Sequence, residues 1–224
     1  MKKGFVLISL FILPIVVYLF FASGVNNFIT LPVLKEQIPD LNVISITEHT
    51  SEQEPTLEGK ITILGFLGND LLKNKGNFFN FNQKIYNKYK EFLDFQVVFF
   101  VPKYQMEGVA QLQKELFQIA DFSKYIFIYA DEQEILTYYN SLGLQAPLGK
   151  DYGTPNVYII DKNRNLRGRK GQNKKGVDEY KEGYNTASAA ELHNEMGDDF
   201  KVLIYEYRNA YKRNNPKNQT DSPN

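Results

Sequence analysis

Residues Gly4 to Ser23, GFVLISLFILPIVVYLFFAS, form a run of 20 residues without a charge. About 20 apolar residues are what an α-helix needs to cross the hydrocarbon core of a bilayer. Lys2 and Lys3 precede the run, and cationic flanks stay on the cytoplasmic side. The segment therefore predicts a single-pass anchor in the bacterial cytoplasmic (inner) membrane, with everything after Ser23 outside the cytoplasm. Pro14 at mid-span is compatible, because membrane helices tolerate proline. The competing reading is a cleaved signal peptide ending at the small residues Ala22-Ser23-Gly24, but its apolar region should span about 7–15 residues, shorter than this one. The lipid bilayer is thus the first expected partner, through residues 4–23.

The chain has 224 residues, 43% of them apolar, which suits one medium domain with a real core plus extras. Lys and Arg total 26, as do Asp and Glu. A nucleic-acid binder normally carries a basic excess, so nucleic acid is not an expected partner. Cysteine is absent, which removes disulfide exchange, thiolate catalysis and thiolate metal sites. No P-loop, Rossmann glycine loop, serine-hydrolase elbow or zinc signature is present. No cofactor, metal site or catalytic residue is expected, and the chain does not read as an enzyme.

Four segments follow from the patterning: the anchor at 1–24, a juxtamembrane stretch at 25–58, a folded domain at 59–212 and a polar, disordered tail at 213–224. Within 25–58 the alternation from Leu41 to Ile46 predicts an early strand. Ile61 to Phe66 is a near-continuous apolar run, the mark of a strand buried on both faces. Phe78, Phe81, Ile85, Tyr89 and Phe92 then fall at helical spacing. The alternation repeats. Phe95 to Val101 and Tyr125 to Tyr129 read as strands, and Val109 to Ile119 and Ile135 to Leu142 as helices. A strand from Asn156 to Ile160 turns at Asp161–Asn165 into a hairpin partner, Leu166 to Arg169. A last helix opens near Ser188, which has capping-box spacing to Glu191. Strands alternating with helices, then a hairpin and a helix, predict an α/β sandwich with a mixed sheet.

Gly59-Lys60-Ile61-Thr62-Ile63-Leu64-Gly65-Phe66 resembles the strand that leads into the active-site loop of thioredoxin-like and SCO/SenC proteins. Asp151-Tyr152-Gly153-Thr154-Pro155, followed by Asn156 to Asp161, resembles their later segment, where a proline or a histidine precedes an apolar strand. The anchor with an outward-facing domain fits the same SCO/SenC-like branch, and the likeness covers roughly Leu41 to Tyr211. It implies a thioredoxin-like three-layer α/β sandwich with a mixed β-sheet, preceded by one transmembrane helix. It also implies where copper ligands would stand: two cysteines at Asn69 and Lys73 and a histidine near Gly153. Copper(I) takes soft thiolate or thioether ligands, and none of these residues is one. From the same resemblance Thr154-Pro155 is expected to be a cis bond.

The loop after the first long strand is read as a turn at Gly68 with Asn69 or Asp70 capping the next helix. Asn69, Asp70, Leu71, Leu72, Thr154 and Pro155 are the candidate partner-binding residues. His49 and His193 read as solvated. So does the acidic cluster Glu195, Asp198 and Asp199, and so does the basic run from Arg164 to Lys175. Aromatics are 14% of the chain, with 17 Phe, 15 Tyr and no Trp. Some of them are expected on the exposed face beside the loop, where they favour partner binding.

The expected function is therefore a redox-inactive binding or assembly module outside the cytoplasmic membrane, for a membrane or periplasmic protein partner, in the direction of respiratory-oxidase maturation. The alternatives are a structural domain of a membrane complex and a thiol-independent enzyme using the Asn69/Asp70 loop.

Overall fold

The structure, a computed structural model, describes residues 12–17, 30–69, 71–72, 74–116, 121–173 and 176–214. Residues 12–17 are helical and exposed. The rest of the expected anchor and nearly all of the expected tail lie outside the described residues, among which no helix is long and apolar enough to cross a membrane.

The apolar runs become the centre of a mixed sheet. β1 is Val33–Lys35, β2 Ile46–His49, β3 Ile61–Leu67, β4 Phe95–Pro102, β5 Tyr125–Ala130, β6 Gly153–Ile160, β7 Leu166–Arg167, β8 Arg169–Gln172, β9 Asp178–Lys181 and β10 Tyr184–Asn185. The order is β1-β7-β6-β3-β4-β5-β2, with β10 on β6, and β8–β9 form a separate hairpin. β3, β4 and β5 are parallel, whereas β6 runs antiparallel to β3 and β2 antiparallel to β5.

The connecting segments cover both faces. α1 starts at Lys75–Phe81 and continues through a π-helical turn, Asn82–Tyr86, into Asn87–Tyr89. α2 is Met106–Leu116 and α3 Glu132–Ser141. α4 opens at Ala189–Glu191, passes a π-helical turn at Leu192–Met196 and runs as Gly197–Asn214. Strand side chains alternate between faces. Ile63, Val97, Phe99 and Phe127 point into one core with Phe78, Phe81, Val109, Leu192 and Phe200. Leu64, Phe66, Val98, Phe100 and Tyr158 point into the other with Ile135, Tyr138 and Tyr139. The result is the expected three-layer α/β sandwich.

Several expectations are corrected. Leu41–Val43 is a short 3-10 helix, and the strand follows it at Ile46–His49. The 25–58 stretch does not merely precede the domain: Leu31, Ile38, Leu41 and Leu57 are buried in the cores. Ser188 does cap α4, its Oγ accepting from Glu191 N at 3.2 Å, but the Glu191 carboxylate accepts from Asn185 N rather than closing the box on Ser188.

The charged segments are not wholly solvated. Arg167 is buried and holds Asp161 at 2.9 Å and Glu206 at 2.6 Å. Burial alone would lower its pKa, but hydrogen bonds to Glu206 and Asp161 outweigh burial and raise it. Asp199 is buried too, accepting from Tyr184 Oη at 2.6 Å and pairing with Arg169 at 2.7 Å. Each charge is buried only with its partner, which is the condition under which charges enter a core. His49 is half-buried, with an Nδ1 that finds no hydrogen-bond partner among the described residues, whereas His193 is exposed as expected.

Candidate functional site

In an α/β sheet, ligand sites gather beyond the carboxyl ends of the parallel strands. β3 ends there, and its end is shaped by glycine. Gly68 takes a φ of +61°, a conformation open to glycine at no steric cost. The chain then passes so close to β6 that a Cβ on Gly153 would lie 2.8 Å from Gly68 Cα. Leu67 faces Gly153, and the β3–β6 register shifts between Gly65 and Leu67. Such bulges re-aim a strand next to functional sites.

Beside this approach lies a cavity of about 440 Å³, within the range of small-ligand pockets. Its floor is apolar: Phe66, Leu71, Phe78, Phe81, Phe99 and Val157. Its rim is polar: Asn74, Asn77, Asp151, Thr154, Asn156 and Thr186, with Pro155 among them. Thr154 Oγ1 accepts from Asn156 N at 3.2 Å. The carbonyl of Pro155 accepts from Thr186 N at 2.9 Å and Thr186 Oγ1 at 2.7 Å, which ties β6 to the turn before α4. Below the floor, Tyr158 and Tyr139 share a hydrogen bond of 3.1 Å, and burial raises the pKa of both hydroxyls. They are neutral donors and acceptors at any physiological pH.

The candidate residues are divided by the structure. Leu71, Thr154 and Pro155 all line the cavity. Leu71 does so as a core residue, 2% exposed, so it is a wall and not an open contact surface. Leu72 is half-buried against the same core. Asn69 is exposed and points elsewhere: its side-chain oxygen accepts from Tyr104 Oη, and its carbonyl accepts from Gln105 Nε2 at 3.1 Å. Tyr104 also reaches Glu132 Oε1 at 3.0 Å; desolvation and then Glu132 raise its pKa. Asp70 and Lys73 lie outside the described residues.

Two expectations fail here. Asn69 does not cap α1, which starts at Lys75 with Asn74 in the cap position and no side-chain cap hydrogen bond. The Thr154–Pro155 bond is not cis; the described residues contain no cis peptide. Asn74, Asn77, Asp151 and Thr186 were missed. The spacing of Asn74 and Asn77 puts both on one side of the α1 start, which is a signal that could have found them.

No family model matches the chain, and no curated protein matches it in sequence. Solved structures do match it. A SCO1/SenC family lipoprotein from Bacillus anthracis aligns with a TM-score of 0.53 at 14% identity, over 78% of this chain and 99% of that one. BsSco, a member of the Sco family of cytochrome c oxidase assembly proteins, aligns with a TM-score of 0.51 at 10% identity, over 78% of this chain and 98% of that one. The domain has a thioredoxin-like fold. At these identities the likeness is one of fold, and Sco-family structures are among those that share it.

The thioredoxin-like domain carries none of the cysteines that the SCO/SenC resemblance implied. Asn69 offers an amide and Gly153 no side chain at all, while Lys73 offers an ammonium. That donor set does not fit copper(I), which wants soft sulfur. Among the described residues no cluster of His, Asp and Glu could hold another metal. What the described residues offer is an apolar, largely aromatic floor ringed by the amides of Asn74, Asn77 and Asn156, the hydroxyls of Thr154 and Thr186 and the carboxylate of Asp151.

Proposed function

We propose that this chain is a membrane-anchored, redox-inactive thioredoxin-like binding module, held outside the cytoplasmic membrane by residues 4–23. It grips a protein partner through the cavity beside Thr154–Pro155. The observation that carries this reading is the cavity itself. An apolar floor with a polar rim is the layout of a recognition site, and it stands where the fold gathers its ligands, in a chain without a thiol. Assembly of a respiratory oxidase is the direction suggested by BsSco, whose family is one of cytochrome c oxidase assembly proteins.

The test is site-specific photo-crosslinking in intact membranes. A photoreactive residue at Asn77, on the rim, is expected to capture one defined membrane or periplasmic protein. The same residue at Tyr180, on the separate β8–β9 hairpin, is expected to capture none. Equal capture at both positions, or capture at Tyr180 alone, overturns the assignment of the cavity as the recognition site.

A further inference from the structure

The end of the domain opposite the cavity carries a second, shallower hollow of about 300 Å³, lined by Phe92, Leu93, Asp94, Lys162, Tyr207 and Arg208. Leu93 beside it is 86% exposed, more than any other large apolar residue described. Solvent gives no reason to keep a leucine there, and single exposed leucines need none. The neighbours change that reading. Lys162 neutralises Asp94 at 2.5 Å and sits 5.4 Å above the Tyr207 ring. Arg208 is exposed and makes no ion pair among the described residues. Apolar, aromatic and cationic groups are thus brought together on one end.

The path of the chain leads to the same place. Leu31 is 4% exposed. Its N–H donates to Glu206 Oε1 at 2.5 Å, and its carbonyl accepts from Arg167 Nε at 2.8 Å. Glu206 directly precedes Tyr207 and Arg208. Leu31 is eight residues beyond Ser23, where the uncharged run ends. A chain of that length, fully extended, reaches at most about 26–29 Å.

We propose that this end of the domain docks on the surface of the bilayer that holds the anchor, with Leu93 entering the headgroup boundary and Arg208 meeting anionic lipid headgroups. The proposal rests on the reading of residues 4–23 as a membrane span. The leash holds the whole domain near the surface, so docking costs little further entropy; the exposed Leu93 and Arg208 select this end. Buried apolar area and attraction to anionic lipid add together at such surfaces. The consequence concerns the recognition site. β3 runs seven residues from Ile61 at this end to Leu67 at the cavity. At about 3.3 Å per residue the cavity stands roughly 20 Å farther from the membrane, with its mouth toward water.

A chain without cysteine can be labelled at one chosen position. The full chain carrying Glu91→Cys, exposed beside Leu93, or Asn77→Cys at the cavity rim, is labelled with a fluorophore. Each is reconstituted into vesicles of phosphatidylcholine and phosphatidylglycerol that contain a lipid with a nitroxide near its headgroup. The label at 91 is expected to be quenched strongly and the label at 77 weakly. Arg208→Gln should lower the docked-to-free ratio read at 91 roughly fivefold, the effect of one cation at an anionic surface, and vesicles of phosphatidylcholine alone should lower it as well. Vesicle flotation in alkaline carbonate separates the two readings. Flotation with equal quenching at both positions overturns the docking and leaves the anchor standing. Failure to float overturns the anchor, and the docking with it.

Discussion

Arg167 Nη1 and Asp161 Oδ2 lie 2.9 Å apart, with 7% and 1% of their side-chain surfaces exposed. Asp161 is held on its other side by the N–H groups of Asn163 and Asn165, each at 2.9 Å. Arg167 also reaches Glu206 on α4 and the carbonyl of Leu31. One guanidinium therefore joins the β6–β7 turn, the last helix and the incoming N-terminal segment.

Arg167→Met should cost about 3–5 kcal/mol, because it leaves an uncompensated carboxylate in the core. Adding Asp161→Asn to it should recover part of that loss. Urea denaturation of the single and double variants checks both. A single variant as stable as the parent would mean that water replaces the guanidinium.

Leu71 and Leu72 are neighbours with different predicted responses. Leu71 is 2% exposed and packs in the core beneath the cavity. Leu71→Ala should cost about 2–5 kcal/mol, through lost transfer energy and the cavity left behind. Leu72 is only half-buried, and Leu72→Ala should cost clearly less. Thermal melting of the two variants side by side decides this. Equal losses would place Leu72 in the core as well.

Much of the sheet could be read from the chain, and the reason is physical. Ile61 to Leu67, Phe95 to Pro102 and Tyr125 to Ala130 are buried on both faces, and such strands must be apolar nearly throughout. The segments that escaped reading lack that signature. Arg169–Gln172 and Asp178–Lys181 pair only with each other and are mostly exposed, so they resemble any polar loop. Arg167, Arg169 and Asp199 escaped for another reason. Whether a charge is buried depends on a partner distant in the chain, such as Glu206 for Arg167 or Tyr184 for Asp199. No local pattern records that. At the site, the bend at Gly68 was legible because glycine takes a positive φ at no steric cost. The burial of Leu71 was not, because it depends on how α1 and α2 pack.

Asp40 gives the acid limb of stability. Its carboxylate accepts from Leu41 N, Leu57 N and Thr56 Oγ1, each at 2.7 Å, and so staples the 31–58 stretch together. Burial raises its pKa, but these hydrogen bonds outweigh it and hold the group below its ordinary value of 3.8. A depressed folded pKa means that the stabilisation is complete above the unfolded value and is lost as pH falls through the folded one. Asp40→Asn should therefore lower stability by about 1–3 kcal/mol at neutral pH. The gap between variant and parent should close as pH falls below 3.8. Melting curves from neutral to acid pH check it, and a gap that stays constant into acid would exclude the carboxylate as its source.

Gly153 and Gly76 should respond to the same substitution with opposite signs. A Cβ on Gly153 would lie 2.8 Å from Gly68 Cα, 2.9 Å from Gly68 N and 3.0 Å from Leu67 C. All three are backbone atoms, so no side-chain rotation relieves the clash. The β3 and β6 backbones must separate where Leu67 faces Gly153, at the cavity. Gly153→Ala should cost about 1–3 kcal/mol, the range for overpacking. Gly76 is exposed in the first turn of α1, and a Cβ there meets nothing within 4 Å. Gly76→Ala should stabilise by about 0.5–1 kcal/mol, because alanine loses less backbone freedom in a helix. If the cavity is the recognition site, capture from Asn77 should also fall in Gly153→Ala and persist in Gly76→Ala, measured at a temperature where both variants are folded. A Gly153→Ala protein that melts no lower than the parent would show that the loop from Gly149 to Gly153 yields freely. The close approach of Gly68 and Gly153 would then not be what shapes the cavity.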